Sequence, residues 1–409
     1  MENKKLKSSF CSGLFSRKRD LLLKLAASLV LTWLVMLGQA FAELTCVEGV
    51  QDSGSIYRIC TPPENYNGNL IVWAHGFQDA GKPLAIPEDQ LQFDDIYLPE
   101  LVIGLGFAFA TNSYSKTGLA VFEGMDDILD LVTIYVDHYG QPENVFLVGA
   151  SEGGLITALL AEQNPDVFDA ALALCGPIGD FPLQINYLGD ARVTFEYFFP
   201  NQIPGYDIFN NDSEMPDEEW EDYFNGTIFP LLRDNPWKAK QWFKVAKLPY
   251  DPENYFDTII NSAKDVLRYS VINLPNAVAV LGGQPFDNRW KWYTGSLNDF
   301  RLNLRVKRLT PDAAAIAEMK MNYNTSGSLD IPLISMHTLR DQQVPYWHET
   351  LYSLKTIAEG SFLTRHVNIP VDRYGHCNFT REEALGGFAL MLLYAGDWEM
   401  LSALETSMP

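Results

Sequence analysis

Four continuous apolar runs, separated by stretches of helical period, limit this chain to few folds. The runs are "GNLIVWAHGF" (68–77), "GFAFATNS" (106–113), "VFLVGAS" (145–151) and "FDAALALCG" (168–176). None shows the polar alternation of a strand with one wet face, so each predicts a strand covered on both sides. Between them, "GMDDILDLVTIYVDHYG" places Ile128, Leu131, Val132 and Tyr135 on one helical face and ends at Gly140, the pattern of an amphipathic helix with a glycine stop. "EGGLITALLAEQNP" predicts a second helix stopped near Pro165. Strands alternating with helices at this spacing mean an α/β protein with a mainly parallel sheet. Chemistry in such sheets gathers beyond the carboxyl ends of the strands, where His75, Ser113, Ser151 and Cys175 fall.

The rhythm breaks from about 181 to 327, a stretch holding roughly half of all the aromatics and the acidic run "NNDSEMPDEEWEDYF". It predicts a largely helical insertion covering the sheet. The acidic run suits a solvated loop entering a helix at Pro216, and no calcium-loop spacing is present. The aromatics suit either an apolar substrate pocket or the insertion's own core. The α/β rhythm then resumes, with strands predicted over 331–336 and 366–371 and a closing helix in "REEALGGFALMLLYAG".

A basic start (Lys4, Lys5, Lys7, Arg17, Lys18, Arg19), an apolar run and Ala40-Phe41-Ala42 predict a signal peptide over 1–42 and an exported protein, periplasmic or extracellular. An uncleaved membrane anchor is the alternative. Cleavage removes a net +5 and takes the formal charge from −22 to −27, which disfavours nucleic acid, polyanions and anionic membranes as partners. Of the remaining cysteines, Cys46 and Cys60 flank a hairpin-like "VEGVQDSGSIYRI" and would pair, leaving Cys175 for Cys377. Four free buried cysteines are the alternative. No Cys/His spacing suggests zinc, and no oligomeric state is legible.

Three motifs carry the chemistry. Gly149-Ala150-Ser151-Glu152-Gly153 reads as a nucleophile elbow, a tight strand-to-helix turn that exposes a serine hydroxyl. "AHGF" ends the run at 68–77, and "HTLRDQQVPY" and "RYGHCNF" lie at the ends of the two later strands. In this order the motifs resemble the α/β-hydrolase superfamily, specifically a secreted serine esterase or lipase-like member with a cap. The resemblance implies a mostly parallel central sheet flanked by helices, with the cap inserted after the sixth strand. The chain then divides into leader 1–42, core 43–178, cap 179–328 and core 329–409. It further implies Ser151 as nucleophile, Asp341 as acid and His376 as base, in the chain order this fold requires. The backbone N–H groups of Phe77 and Glu152 would form the oxyanion hole, and Gly76, Gly149 and Gly153 would permit the tight turns. His75 would order its loop. His337 stands where a glycine is often found, as a supporting or substrate-contacting residue. Asp330 lies at the wrong end of its strand, and His138, His348 and His366 belong to helices or strands.

The expected activity is cleavage of a small-molecule or polymeric ester, with no metal or organic cofactor. A serine exopeptidase of the same fold is the first alternative, and a non-catalytic binding protein on the scaffold is the second.

Overall fold

The computed structural model describes residues 44–93, 96–203 and 217–396. The expected signal peptide lies outside them. So does the residue Pro216.

Eight strands form one sheet. In chain order they are β1 (Thr45–Val50), β2 (Ile56–Thr61), β3 (Leu70–Ala74), β6 (Ala108–Asn112), β7 (Val145–Ala150), β8 (Ala170–Leu174), β9 (Leu333–Arg340) and β10 (His366–Tyr374). A separate pair, β4 (Gln92–Phe93) and β5 (Ile96–Tyr97), makes a short hairpin. The spatial order of the main sheet is β1-β2-β6-β3-β7-β8-β9-β10. From β6 to β10 all pairings are parallel, while β1 and β2 add antiparallel to one edge. In the expected hairpin Cys46 and Cys60 are register partners and form a disulfide.

The apolar runs are continuous because both faces of the sheet are covered. On β3, Leu70, Val72 and Ala74 join one core with α2 (Val121–Tyr139) and α3 (Glu152–Gln163), whereas Ile71 and Trp73 join another. The second core is closed by α1 (Leu98–Gly104) and α13 (Arg381–Ala395). On α2 the apolar stripe Ile128, Leu131, Val132 and Tyr135 is buried, and Gly140 ends the helix at φ 88°, a left-handed turn that costs glycine little. The Thr380 side chain and the Glu383 side chain cap α13 reciprocally, which satisfies N–H groups that the first helical turn leaves free.

β9 starts and ends later than the apolar run suggests. Its continuation past Met336 is His337, Thr338, Leu339 and Arg340, of which His337, Thr338 and Arg340 pair with β10 although polar. Their backbone pairing outlasts the hydrophobic signal.

Six strands of the main sheet precede a segment that, among the described residues, holds helices joined by loops and no strand. It contains α4 (Phe181–Phe198), α5 (Asp217–Tyr223), α6 (Phe229–Asp234), α7 (Pro236–Ala246), α8 (Tyr255–Arg268), α9 (Leu274–Val280), α10 (Asp299–Arg305) and α11 (Ala313–Asn322). The chain then re-enters the sheet at β9, and α12 (Trp347–Glu359) connects β9 to β10. Trp220, Trp242, Phe224 and Phe243 of this segment are buried in a core of their own that runs on into the first sheet face. Asp180 accepts the Leu183 N–H at the start of α4. No helix among the described residues is long and apolar enough to cross a membrane.

Candidate functional site

β7 stops at Ala150, and Ser151 takes φ 58° and ψ −119° before α3 begins at Glu152. A positive φ is unfavourable for a residue with a Cβ, so neighbouring contacts must hold it. The Ser151 N–H donates to Leu174 O at 2.9 Å, tying the turn to the end of β8. The glycines around it are required by close approach. A Cβ at Gly153 would stand 2.0 Å from Ala74 O, and one at Gly149 would stand 2.4 Å from Gly153 O. A Cβ at Gly76 would crowd the Ser151 Cβ at 3.1 Å. These approaches let α3 settle on the sheet with the serine at its mouth.

Two groups far away in the chain meet that serine. His376 follows β10, and its Nε2 lies 2.8 Å from Ser151 Oγ. Asp341 follows β9, and its Oδ2 accepts from His376 Nδ1 at 2.7 Å. The other Asp341 oxygen accepts the N–H groups of Gln343 and Val344 at 2.8 and 2.9 Å. Burial alone would raise the Asp341 carboxyl, but the imidazoles of His376 and His337 hold it below the usual carboxylate range. An ionised acid fixes Nδ1 as the donor, which leaves Nε2 free to accept the serine hydroxyl.

The Phe77 and Glu152 N–H groups take no hydrogen-bond partner among the described residues. The loop carrying Phe77 is held by Gln90, whose side chain accepts from the Gly76 N–H at 2.6 Å and donates to Phe77 O at 3.3 Å. Gln90 drew no attention in the sequence because its partner is backbone fourteen residues away. His75 is turned away from this chemistry. Its Nδ1 donates to Gly76 O at 2.7 Å, its ring stacks on Tyr114, and burial pushes its pKa down to about 4.

Behind Asp341 lies a buried pair that the sequence did not expose. His337 Nε2 is 2.7 Å from Val344 O and 3.3 Å from Asp341 Oδ2, while Nδ1 faces Glu349 Oε1 at 3.2 Å. Burial opposes a charge here. The bonds to Asp341 and Glu349 outweigh it and push His337 up to about 10. Glu349 in turn accepts from Ser335 Oγ at 2.6 Å and Asn368 Nδ2 at 2.7 Å. His337 is therefore a buried cation between two carboxylates.

A group with its pKa raised on folding stabilises fully below its unfolded value of about 6.5 and loses that contribution as pH rises through the folded value. Between those limits, the native protein should lose stability from pH 7 towards pH 10. His337→Gln should be less stable by about 3–5 kcal/mol at pH 7, because it removes the cation from between two buried carboxylates. It should also lack this alkaline decline. Denaturant melts of both proteins across that range check the prediction.

Cys175, at the end of β8, and Cys377, next to His376, form a disulfide with Cα atoms 5.4 Å apart. It ties the histidine loop to the strand beside the elbow. The atoms of Cys175, His376 and Cys377 lie within 4.8 Å of one another, but sulfurs bonded to each other offer no thiolate to a metal. Cys175→Ser/Cys377→Ser should lower stability by about 2–4 kcal/mol. It should also lower turnover by about 10- to 100-fold, because a small displacement of a reacting group is that costly. Thermal melts and ester turnover of the double variant check both effects, with Cys46–Cys60 left intact.

The opening beside His376, about 700 Å3, is lined by Asn261, Lys264, Asp265, Gln342, Gln343 and Tyr374 among others. The helical segment contributes Asn261, Lys264 and Asp265 to this lining. Asp265 of α8 accepts from Gln342 Nε2 at 2.7 Å and Gln343 Nε2 at 3.2 Å. Tyr269, just after α8, meets the Phe77 ring edge-on at 6.0 Å between centroids. Asp330, His138, His348 and His366 take no part in the Ser151–His376–Asp341 chain.

A model of the prolyl oligopeptidase family matches residues 104–180. That segment runs from the end of α1 through β6, α2, β7, Ser151, α3 and β8 to the start of α4. The match covers the centre of the sheet and its serine turn. The chain is an α/β-hydrolase.

Solved structures resemble the hydrolase distantly. A Pyrococcus horikoshii acylaminoacyl peptidase is 13% identical with a TM-score of 0.43, over 90% of this chain and 43% of that one. The hydrolase thus spans less than half the length of that peptidase. A Pyrococcus furiosus esterase is 10% identical with a TM-score of 0.44, over 86% and 91% of the two chains. Feruloyl esterase B from Aspergillus oryzae is 13% identical with a TM-score of 0.44, over 82% and 75%. Similarity of this degree carries nothing about substrate. No curated protein matches the hydrolase sequence.

Proposed function

We propose that the chain is an exported serine hydrolase that cleaves carboxylic esters through an acyl-enzyme. The observation that carries the reading is the hydrogen-bond chain from Ser151 Oγ through His376 to Asp341. A serine hydroxyl is a poor nucleophile until a base takes its proton. His376 Nε2 accepts that proton as Ser151 attacks the carbonyl, and Asp341 stabilises the imidazolium that results. The Phe77 and Glu152 N–H groups receive the oxyanion, the latter at the positive end of α3. His376 then protonates the leaving group, and water releases the acid by the reverse proton path. The segment 179–328 acts as a cap, through α8 and Tyr269, and its polar side chains face the leaving or acyl group. No cofactor enters this scheme.

The prolyl oligopeptidase match over 104–180 favours a second reading, a peptidase using the same residues. Turnover of p-nitrophenyl esters against aminoacyl p-nitroanilides separates the two. Faster ester cleavage supports the esterase, and a preference for the anilides supports the peptidase. A panel of short, long, aromatic and hydroxylated acyl groups then identifies the ester, for which the polar opening favours hydroxylated or amide-bearing groups over long alkyl chains.

A further inference from the structure

Among the large apolar side chains that the helical segment leaves in water, six fall on neighbouring elements. Trp237 at the start of α7, Trp290 and Trp292 in the loop between α9 and α10, and Leu297, Phe300 and Leu304 about α10 are all exposed, Trp290 by 91% and Leu297 by 89%. They sit on adjoining elements. The Leu297 N–H donates to Gln241 Oε1 of α7 at 2.9 Å, and Asn303 of α10 holds the Tyr293 N–H and carbonyl at 2.9 and 2.7 Å. On α10, Leu302 is buried, while Phe300 and Leu304, one turn apart, face outward. The Lys291 ammonium is drawn inward to Asp190, with Trp290 and Trp292 on either side in water. An outward apolar stripe on a short helix with a buried leucine behind it is not a packing leftover of one residue. It is a face.

The charge of this face is opposite to that of the molecule. Residues 236–247 and 287–308 contain Lys238, Lys240, Lys244 and Lys247, then Arg289, Lys291, Arg301, Arg305, Lys307 and Arg308, against Asp287 and Asp299, a net +8 in a chain of −22, with Arg289 paired to Asp287 and Lys291 to Asp190. Arg301 and Arg305 have no carboxylate partner among the described residues and border a cavity of about 610 Å3.

We infer that this aromatic and basic face docks the hydrolase onto an anionic phospholipid surface. Tryptophan settles at headgroup depth, and long basic side chains extend to phosphate while their stems lie in apolar surroundings. Each basic residue near such a surface contributes attraction that fades within a Debye length, about 8 Å at physiological salt. The acidic remainder of the protein therefore does not cancel it. A second copy fits less well, since a two-fold contact would set one net basic face against another, and lysine is depleted from protein interfaces. The inference does not depend on the esterase reading, because none of these side chains touches Ser151, Asp341 or His376.

Co-sedimentation of the full chain with vesicles tests it. Phosphatidylcholine vesicles are compared with vesicles one third phosphatidylglycerol. Anionic vesicles should bind the protein about tenfold or more tightly than neutral ones, and less so at about 1 M salt. Trp290→Ala/Trp292→Ala and Arg301→Glu/Arg305→Glu should each weaken that binding about tenfold or more, with ester turnover in solution unchanged to show that they fold. Three results would overturn the inference. One is no preference for the anionic vesicles. Another is unchanged binding by both variants, which would place the contact elsewhere, including the basic start of the chain. The last is self-association in ultracentrifugation that the same substitutions abolish, which would make a second copy the occupant.

Discussion

Ser151→Ala is expected to lower kcat on an activated ester by about a million-fold, the scale of loss when a serine nucleophile is removed. Alanine keeps a Cβ at the same φ of 58°, so the turn is no more strained than before. The Ser151 backbone bond to Leu174 O and the glycine contacts around the elbow involve no hydroxyl and persist. Melting should therefore change little, and the loss should be one of chemistry. Residual turnover should come from the oxyanion donors acting on water, about 10³- to 10⁴-fold over the uncatalysed rate. Pre-steady-state kinetics with excess p-nitrophenyl ester should show a burst in the native protein and none in the variant.

Asp341→Asn is expected to lower kcat by about 10⁴-fold at neutral pH. The asparagine amide has the shape of the carboxylate but can donate to Nδ1. It would then hold the proton of His376 on Nε2, where it blocks acceptance from Ser151. The same change leaves His337, raised to about 10 by its bonds to Asp341 and Glu349, with one anionic neighbour in place of two. Its pKa should fall, and with it the pH at which the protein loses stability. A pH profile of stability alongside kcat separates the two consequences. Loss of activity without that shift would mean that His337 draws its charge from Glu349 alone.

The parts of this molecule legible in the sequence share one cause. Leu70–Ala74, Ala108–Asn112, Val145–Ala150 and Ala170–Leu174 are buried on both faces, so their sequences are unbroken apolar runs. Ser151 lay between glycines that the backbone requires, and Asp341 and His376 stood directly after strands. What escaped has equally physical reasons. β4 and β5 have two residues each and carry no periodicity. The His337–Glu349 pair joins a strand to the next helix, and an inward glutamate on a helix has the sequence of an outward one. Aromatic content could not separate Trp220 and Trp242, which are buried, from Trp290 and Trp292, which stand in water. Burial of a side chain is a property of its neighbours, and composition holds no information on those.

Reaction of the purified protein with a fluorophosphonate, followed by peptide mass spectrometry, tests the proposed nucleophile most directly. One adduct per chain is expected, on the peptide containing Ser151, abolished in Ser151→Ala and strongly slowed in Asp341→Asn. Full labelling of the alanine variant, or an adduct on another residue, would contradict the account.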